Sequence, residues 1–291
     1  MAAPMEVALE IFFVGMHMLA HADAIPHAFI SVNRIKNRRS PFPVGAYVLD
    51  SGAFTEIAKY GRYTDTVESY AAHIRKAKAW HGDKLLAAVA QDYMCEAVML
   101  AKTGLTIEEH QRLTIERYDA LTACDVSGTY IMPVLQGYAP EDYVRHIRAY
   151  GSRLAHGAWV GVGSVCKRNG NPVLIENVLL AIKAERPDLR LHGFGIKATA
   201  LRSQLVRDLL YSADSLAWSF AARYEGRDAN DPQEAVRYLA RIQEMPVQPS
   251  FGGELHAETR QVGGSGDDVP GLYSGRKLDD WKCRQLQFDW S

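Results

Sequence analysis

Closely spaced cysteines are missing from this sequence: Cys95, Cys124, Cys166 and Cys283 stand far apart, without the spacings that build a zinc knuckle or a dithiol redox centre. That argues against a disulfide-stapled fold and reads as reduced thiols in a cytoplasmic setting. Long apolar runs are missing too. The run from Ile11 to Met16 is too short to span a bilayer, and Glu6 and Glu10 stand where a secretory leader would be basic, so no membrane partner is expected. Net charge is almost absent at -1, so contact with a polyanion must come from local basic patches rather than a global field. What is present, 47% hydrophobic and 23% charged residues over 291, is the composition of an ordinary globular chain able to bury one large core.

One grammar recurs along that chain: an apolar run that ends in a polar residue or in glycines. Tyr47 to Phe54, YVLDSGAF, is its clearest instance, a buried strand that delivers Asp50 to the rim of a cavity. An Asp before Ser-Gly also serves as a turn or helix cap, and the single motif leaves both readings open. The other strand-like runs are 11–16, 28–33, 85–91 leading to Asp92, 130–135 leading to Gln136, 158–162 leading to Gly163, 190–196 containing HGFGI, and 212–218 holding Asp214. Helical spacing occupies 64–80, 107–122, 140–150, 172–184, 198–210 and 232–244. Eight strands, six of them followed by helices, predict parallel pairing and a single α/β (β/α)8 TIM barrel over residues 1–245. An open doubly wound sheet is less favoured, because it would gather its polar strand ends at one crevice. From 246 to 291 the composition turns to Gly, Ser, Asp and Gln, which predicts a loosely ordered C-terminal extension.

A barrel brings the C-terminal ends of its strands to one pocket, so Asp50, Asp92, Gln136, Gly161, Gly163, His192, Lys197 and Asp214 are expected to converge. A carboxylate, an amide and close-approach glycines suit a flat, hydrogen-bonding heterocycle, and the other two carboxylates suit the nucleophile and acid/base of a retaining glycosyl transfer. Any of them can equally be a buried structural group. Arg34, Lys36, Arg38 and Arg39 follow the second strand, and Lys167 and Arg168 follow the sixth; on the active face they read as phosphate contacts, against the alternative of solvated charge. His17 and His21 have the spacing of two metal ligands on a helix, but their place at the end of the first strand reads as pocket or core histidines.

Six of these segments carry a resemblance: LDSGAF at 49–54, AQDYMCE at 90–96, PVLQG at 133–137, VGVGSVCKR at 160–168, LHGFGIK at 191–197 and SADSLAWS at 212–219. In this order they resemble the tRNA-guanine transglycosylase superfamily over roughly residues 10–245, and most closely its DNA-acting DpdA branch, which places 7-deazaguanines in DNA. The resemblance implies a TIM barrel and a glycosyltransferase that exchanges guanine in DNA for a free 7-deazaguanine base through a covalent glycosyl-aspartate. It assigns Asp214 as nucleophile, Asp50 (in DSGAF where the family usually has DSGGF) as acid/base, Asp92 and Gln136 as readers of the purine edge, and Gly161 and Gly163 as the segment whose backbone meets the base. The tRNA enzymes carry a zinc site of three clustered cysteines and a histidine. This chain has no such cluster, so neither metal nor cofactor is expected, and tRNA is the less favoured substrate. The alternatives are a transglycosylase acting on tRNA and an inactive nucleic-acid-binding partner subunit; the sequence is compatible with a homodimer.

Overall fold

The computed structural model describes residues 9–247, all within the first of the two units into which the chain divides. The extension expected from 246 onward therefore lies, past Val247, outside the described residues, as does Cys283.

Among the described residues nine strands form one parallel sheet: β1 (Ile11–Gly15), β2 (Ala22–Ser31), β3 (Val44–Asp50), β4 (Leu85–Val89), β5 (Ile131–Met132), β6 (Val134–Leu135), β7 (Trp159–Val162), β8 (Arg190–Gly193) and β9 (Ser212–Ser215). Their order is β5-β4-β3-β2-β1-β9-β8-β7-β6, so the two ends of the sheet are the short segments on either side of Pro133. Across that proline the carbonyls keep alternating. Met132 O accepts from Ala90 N–H at 3.0 Å on one side, and Pro133 O accepts from Gly161 N–H at 2.9 Å on the other. Proline has no N–H to give a ladder, which is why regular pairing breaks there. The sheet is barrel-like and nearly closed.

The helices are α1 (Ala53–Tyr60), α2 (Val67–His81), α3 (Ala97–Thr103), α4 (Ile107–Thr122), α5 (Pro140–Tyr150), α6 (Pro172–Glu185), α7 (Gln204–Leu209), α8 (Ala217–Tyr224) and α9 (Pro232–Glu244). Local chemistry marks their starts. A capping box opens α4, with Thr106 Oγ1 accepting from Glu109 N–H at 3.2 Å and the Glu109 carboxylate accepting from Thr106 N–H at 2.7 Å. Proline stands in the first turn of α5, α6 and α9, where its missing N–H costs nothing. Between β1, β2 and β3 there are only short 3-10 turns, at Leu19–His21 and Val32–Arg34.

Strand alternation splits the apolar residues into two cores. Val14, Ile30, Leu49, Val160 and Leu191 pack outward against helix residues such as Tyr70, Ile74, Tyr143 and Leu179. Phe13, Val48, Val89, Val134 and Trp159 form a second, inner cluster with Phe29 and Phe194. Asp50, Gln136, His192 and Asp214 share the inward parity of Val48, Val134 and their own strands' inner residues, so the periodicity that builds the inner core also aims the site.

Candidate active site

Asp50 ends β3. Its Oδ2 accepts from Gly52 N–H at 3.1 Å, across a turn that needs the left-handed φ of 75° at Gly52 before α1 begins. Burial pushes its carboxyl up from 3.8 to about 6; hydrogen bonds from Gly52, Ser31 and Ser51 resist the shift, and the charge of Asp214 adds to it. Asp50 and Asp214 thus feel one another although β1 and β2 lie between their strands.

Asp92 follows β4 and is buried. Tyr63 OH donates to its carbonyl at 2.9 Å, and its carboxylate accepts from Gln136 Nε2–H. Burial pushes it up to about 7, opposed by that amide and reinforced by the charges of Asp50 and Glu96. Gln136 is itself held from behind. Its N–H donates to His146 Nδ1 at 2.9 Å, and its carbonyl accepts from Gln111 Nε2 at 2.7 Å. His146 Nε2 then donates to Gln111 O at 3.1 Å, and burial lowers this imidazole to about 3, so it stays neutral. Helices α4 and α5 therefore fix the Gln136 backbone from which the side-chain amide reaches Asp92.

Ser164 closes this side of the site. It is a non-glycine residue at a φ of 57°, a conformation that costs about 1–2 kcal/mol and persists where surroundings enforce it. Its Oγ lies 2.7 Å from Gln136 Oε1 and 3.1 Å from the buried Glu96 carboxylate, and accepts from Cys95 N–H at 2.8 Å. Gly163 is bare because a Cβ there would fall 2.1 Å from Gln136 Nε2; Gly161 is bare because a Cβ would fall 2.4 Å from the Phe194 ring. Each glycine makes room for a named side chain.

Asp214 lies on β9, buried. Its Oδ1 accepts from Gly195 N–H at 3.0 Å and lies 3.3 Å from His192 Nε2. His192 is fully enclosed among Phe13, Phe29, Trp159 and Phe194, and its other nitrogen meets Ser212 Oγ at 2.9 Å. Both ring nitrogens have partners inside the protein. Lys197, half-buried, donates its backbone N–H to Asn169 Oδ1 at 2.7 Å.

The basic residues are used unequally. Lys36 is paired with Glu56 at 3.3 Å and with Asp65, so its charge is compensated within the fold. Arg34 is half-buried, and burial lowers its pKa. Arg38 donates to Ser40 O at 2.9 Å and lies over Phe42, while Arg39 is exposed. Lys167 lies over Phe54, and Arg168 covers Tyr138, 4.8 Å from its ring centre, while donating to its carbonyl. His17 stacks on Trp218 and bonds Asn230 Oδ1 at 3.0 Å; burial lowers its pKa. Among the described residues no group of three or more His, Cys, Asp or Glu is arranged to hold a metal ion, and no helix is long and apolar enough to cross a membrane.

The convergent set thus includes Asp50, Asp92, Gln136, Gly163, His192 and Asp214. Residues that sequence reasoning passes over are Ser31, Glu96, Ser164, Trp159 and Ser212. Parity is the available signal for the last two, which stand two positions before Gly161 and Asp214 on the same faces.

A family model described as DpdA, DeoxyPurine in DNA protein A, matches residues 9–236. No curated protein matches the chain.

Proposed function

The chain belongs to the DpdA family, and from that membership, which implies modification of deoxypurines in DNA, we propose that it exchanges guanine in DNA for a free 7-deazaguanine. In this reading the sheet is a (β/α)8 barrel whose fifth strand, 131–135, is split at Pro133. The observation that carries the chemistry is the set of three carboxylates at three strand ends, Asp50, Asp92 and Asp214, which act on one another electrostatically through Asp50.

Asp214 attacks C1′ of a nucleotide flipped into the pocket as the bond from C1′ to guanine N9 breaks. Asp50 in its acid form gives the departing guanine a proton and is left as carboxylate. A 7-deazaguanine enters, loses its N9 proton to Asp50, and attacks C1′ from the face guanine left, displacing Asp214. Two displacements retain the configuration, and the proton inventory closes. A carboxyl pushed up to about 6 suits both halves, since acid and base forms are then both accessible near neutrality. Asp92 and Gln136 read the purine edge, and Arg38, Arg39, Lys167 and Arg168 meet phosphates.

The test is incorporation of labelled 7-deazaguanine into a DNA duplex by purified protein, with trapping of a covalent protein–DNA adduct. Wild type should incorporate label and give the adduct; Asp214→Ala should do neither while retaining its thermal transition. Near-normal turnover by Asp214→Ala would overturn the assignment.

A further inference from the structure

A chain of polar groups runs through the inner core to Asp214, and base exchange as described makes no use of it. Trp159 Nε1 donates to Ser212 Oγ at 2.8 Å. An indole nitrogen can only donate, so the serine oxygen is an acceptor there and its own hydrogen is free to go to His192 Nδ1, 2.9 Å away. That leaves His192 Nε2 as the protonated nitrogen, 3.3 Å from Asp214 Oδ1. The opposite tautomer would set an imidazole lone pair against a carboxylate and strand the serine hydrogen in an apolar core. Ring packing fixes the orientation: Phe29 stacks on the imidazole at 5.3 Å and 11°, and Phe194 meets it edge-on at 4.9 Å.

We propose that His192 is a positioning residue, locked by Trp159 and Ser212 as the Nε2–H tautomer so that it and Gly195 N–H together hold Asp214 Oδ1 and leave Oδ2 as the attacking oxygen. This rests on the reading of Asp214 as nucleophile and adds to it what aims that nucleophile. A carboxylate is two-fold about its last torsion; two donors on one oxygen remove that freedom before the substrate arrives.

The tautomer is measurable without any turnover. The full-length protein carrying histidine labelled with the heavy nitrogen isotope is read by two-bond nitrogen–proton correlation, and His192 is assigned by the signals that vanish in His192→Gln. The expected result is the Nε2–H tautomer in wild type, a mixture in Ser212→Ala, and recovery in Ser212→Thr. An Nδ1–H tautomer or an imidazolium in the wild-type spectrum would overturn the relay, whatever the variants do. Kinetically, Ser212→Ala should lower kcat by up to about 100-fold with KM for the free base unchanged. His192→Gln, which keeps a donor toward Asp214, should lose less than His192→Leu. A raised KM at constant kcat would instead mark His192 as a substrate contact and overturn the positioning role. Should Asp214→Ala still exchange bases, the nucleophile assignment fails, and the wild-type spectrum still decides the relay on its own.

Discussion

Asp50 and Asp92 show how one residue type meets two different surroundings at neighbouring strand ends. Both carboxyls are pushed up by burial, yet Asp50 keeps contact with solvent while Asp92 is sealed under Gln136. On the proposed mechanism Asp50→Asn keeps the shape and removes proton transfer, so base exchange should slow by about two to four orders of magnitude with a cooperative thermal transition at least as high as that of wild type near neutral pH. A collapsed transition would mark Asp50 as a structural cap instead. The raised values also bear on stability. A carboxyl with a folded-state pKa above its ordinary 3.8 favours folding most below that value and loses the contribution as pH rises through about 7, the value Asp92 reaches. Asp92→Asn should therefore melt at a higher temperature than wild type at pH ~8, with the gap closing toward pH ~4; a gap independent of pH would refute the shift. These acids are legible in the sequence because each ends an apolar run. Ser164 and Glu96 are not, since their place depends on a left-handed serine and a loop following β4.

At the scale of elements, periodicity is a good guide where an element is long and amphipathic. Helices α4, α5 and α9 match the expected 107–122, 140–150 and 232–244 residue for residue. It fails where elements are short: α1, α3 and α8 carry too few turns to display a face, and the strand expected to reach Trp218 stops at Ser215 to give way to α8. Strand β2 begins at Ala22, not 28, because Pro26 and a register shift between Ala22 and His27 hide its first half. Lys36 stands among basic neighbours in the sequence, but its partners Glu56 and Asp65 belong to a helix and a turn that local charge counting does not reach. Of the described glycines, Gly163, just past the end of β7, leaves the least room for a side chain. Gly163→Ala would put a methyl group 2.1 Å from Gln136 Nε2, so the amide must leave Asp92 or β7 must shift. The variant should bind 7-deazaguanine at least about tenfold more weakly, a decrease of about 1.4 kcal/mol readable by calorimetry. Unchanged affinity would remove Gln136 from the base site.

For the whole molecule, the barrel-like sheet is legible because polar strand ends recur around the chain instead of clustering at one crevice; its near closure across Pro133 is not, since a proline inside a run argues against a strand when read locally. The arrangement also bears on which polymer is modified. The chain's net charge of -1 gives no global pull toward a polyanion, and exposed cations such as Arg39 and Lys167 stand on the segments that follow β2 and β7. Such a rim suits a short stretch of duplex with one base flipped out better than a folded RNA gripped over a wide area. The sugar points the same way. Deoxyribose lacks the electron-withdrawing 2′-hydroxyl, so its oxocarbenium-like transition state forms more readily, and a site for it needs no partner for a hydroxyl that RNA-specific sites usually contact. Arg39→Glu combined with Lys167→Glu should weaken binding to DNA of any sequence and flatten the log–log salt dependence by about one unit for each phosphate no longer neutralised. Incubating the purified protein with labelled guanine and either polymer decides the matter: label should enter DNA, and label that enters tRNA but never DNA would transfer the same pocket to the RNA reaction.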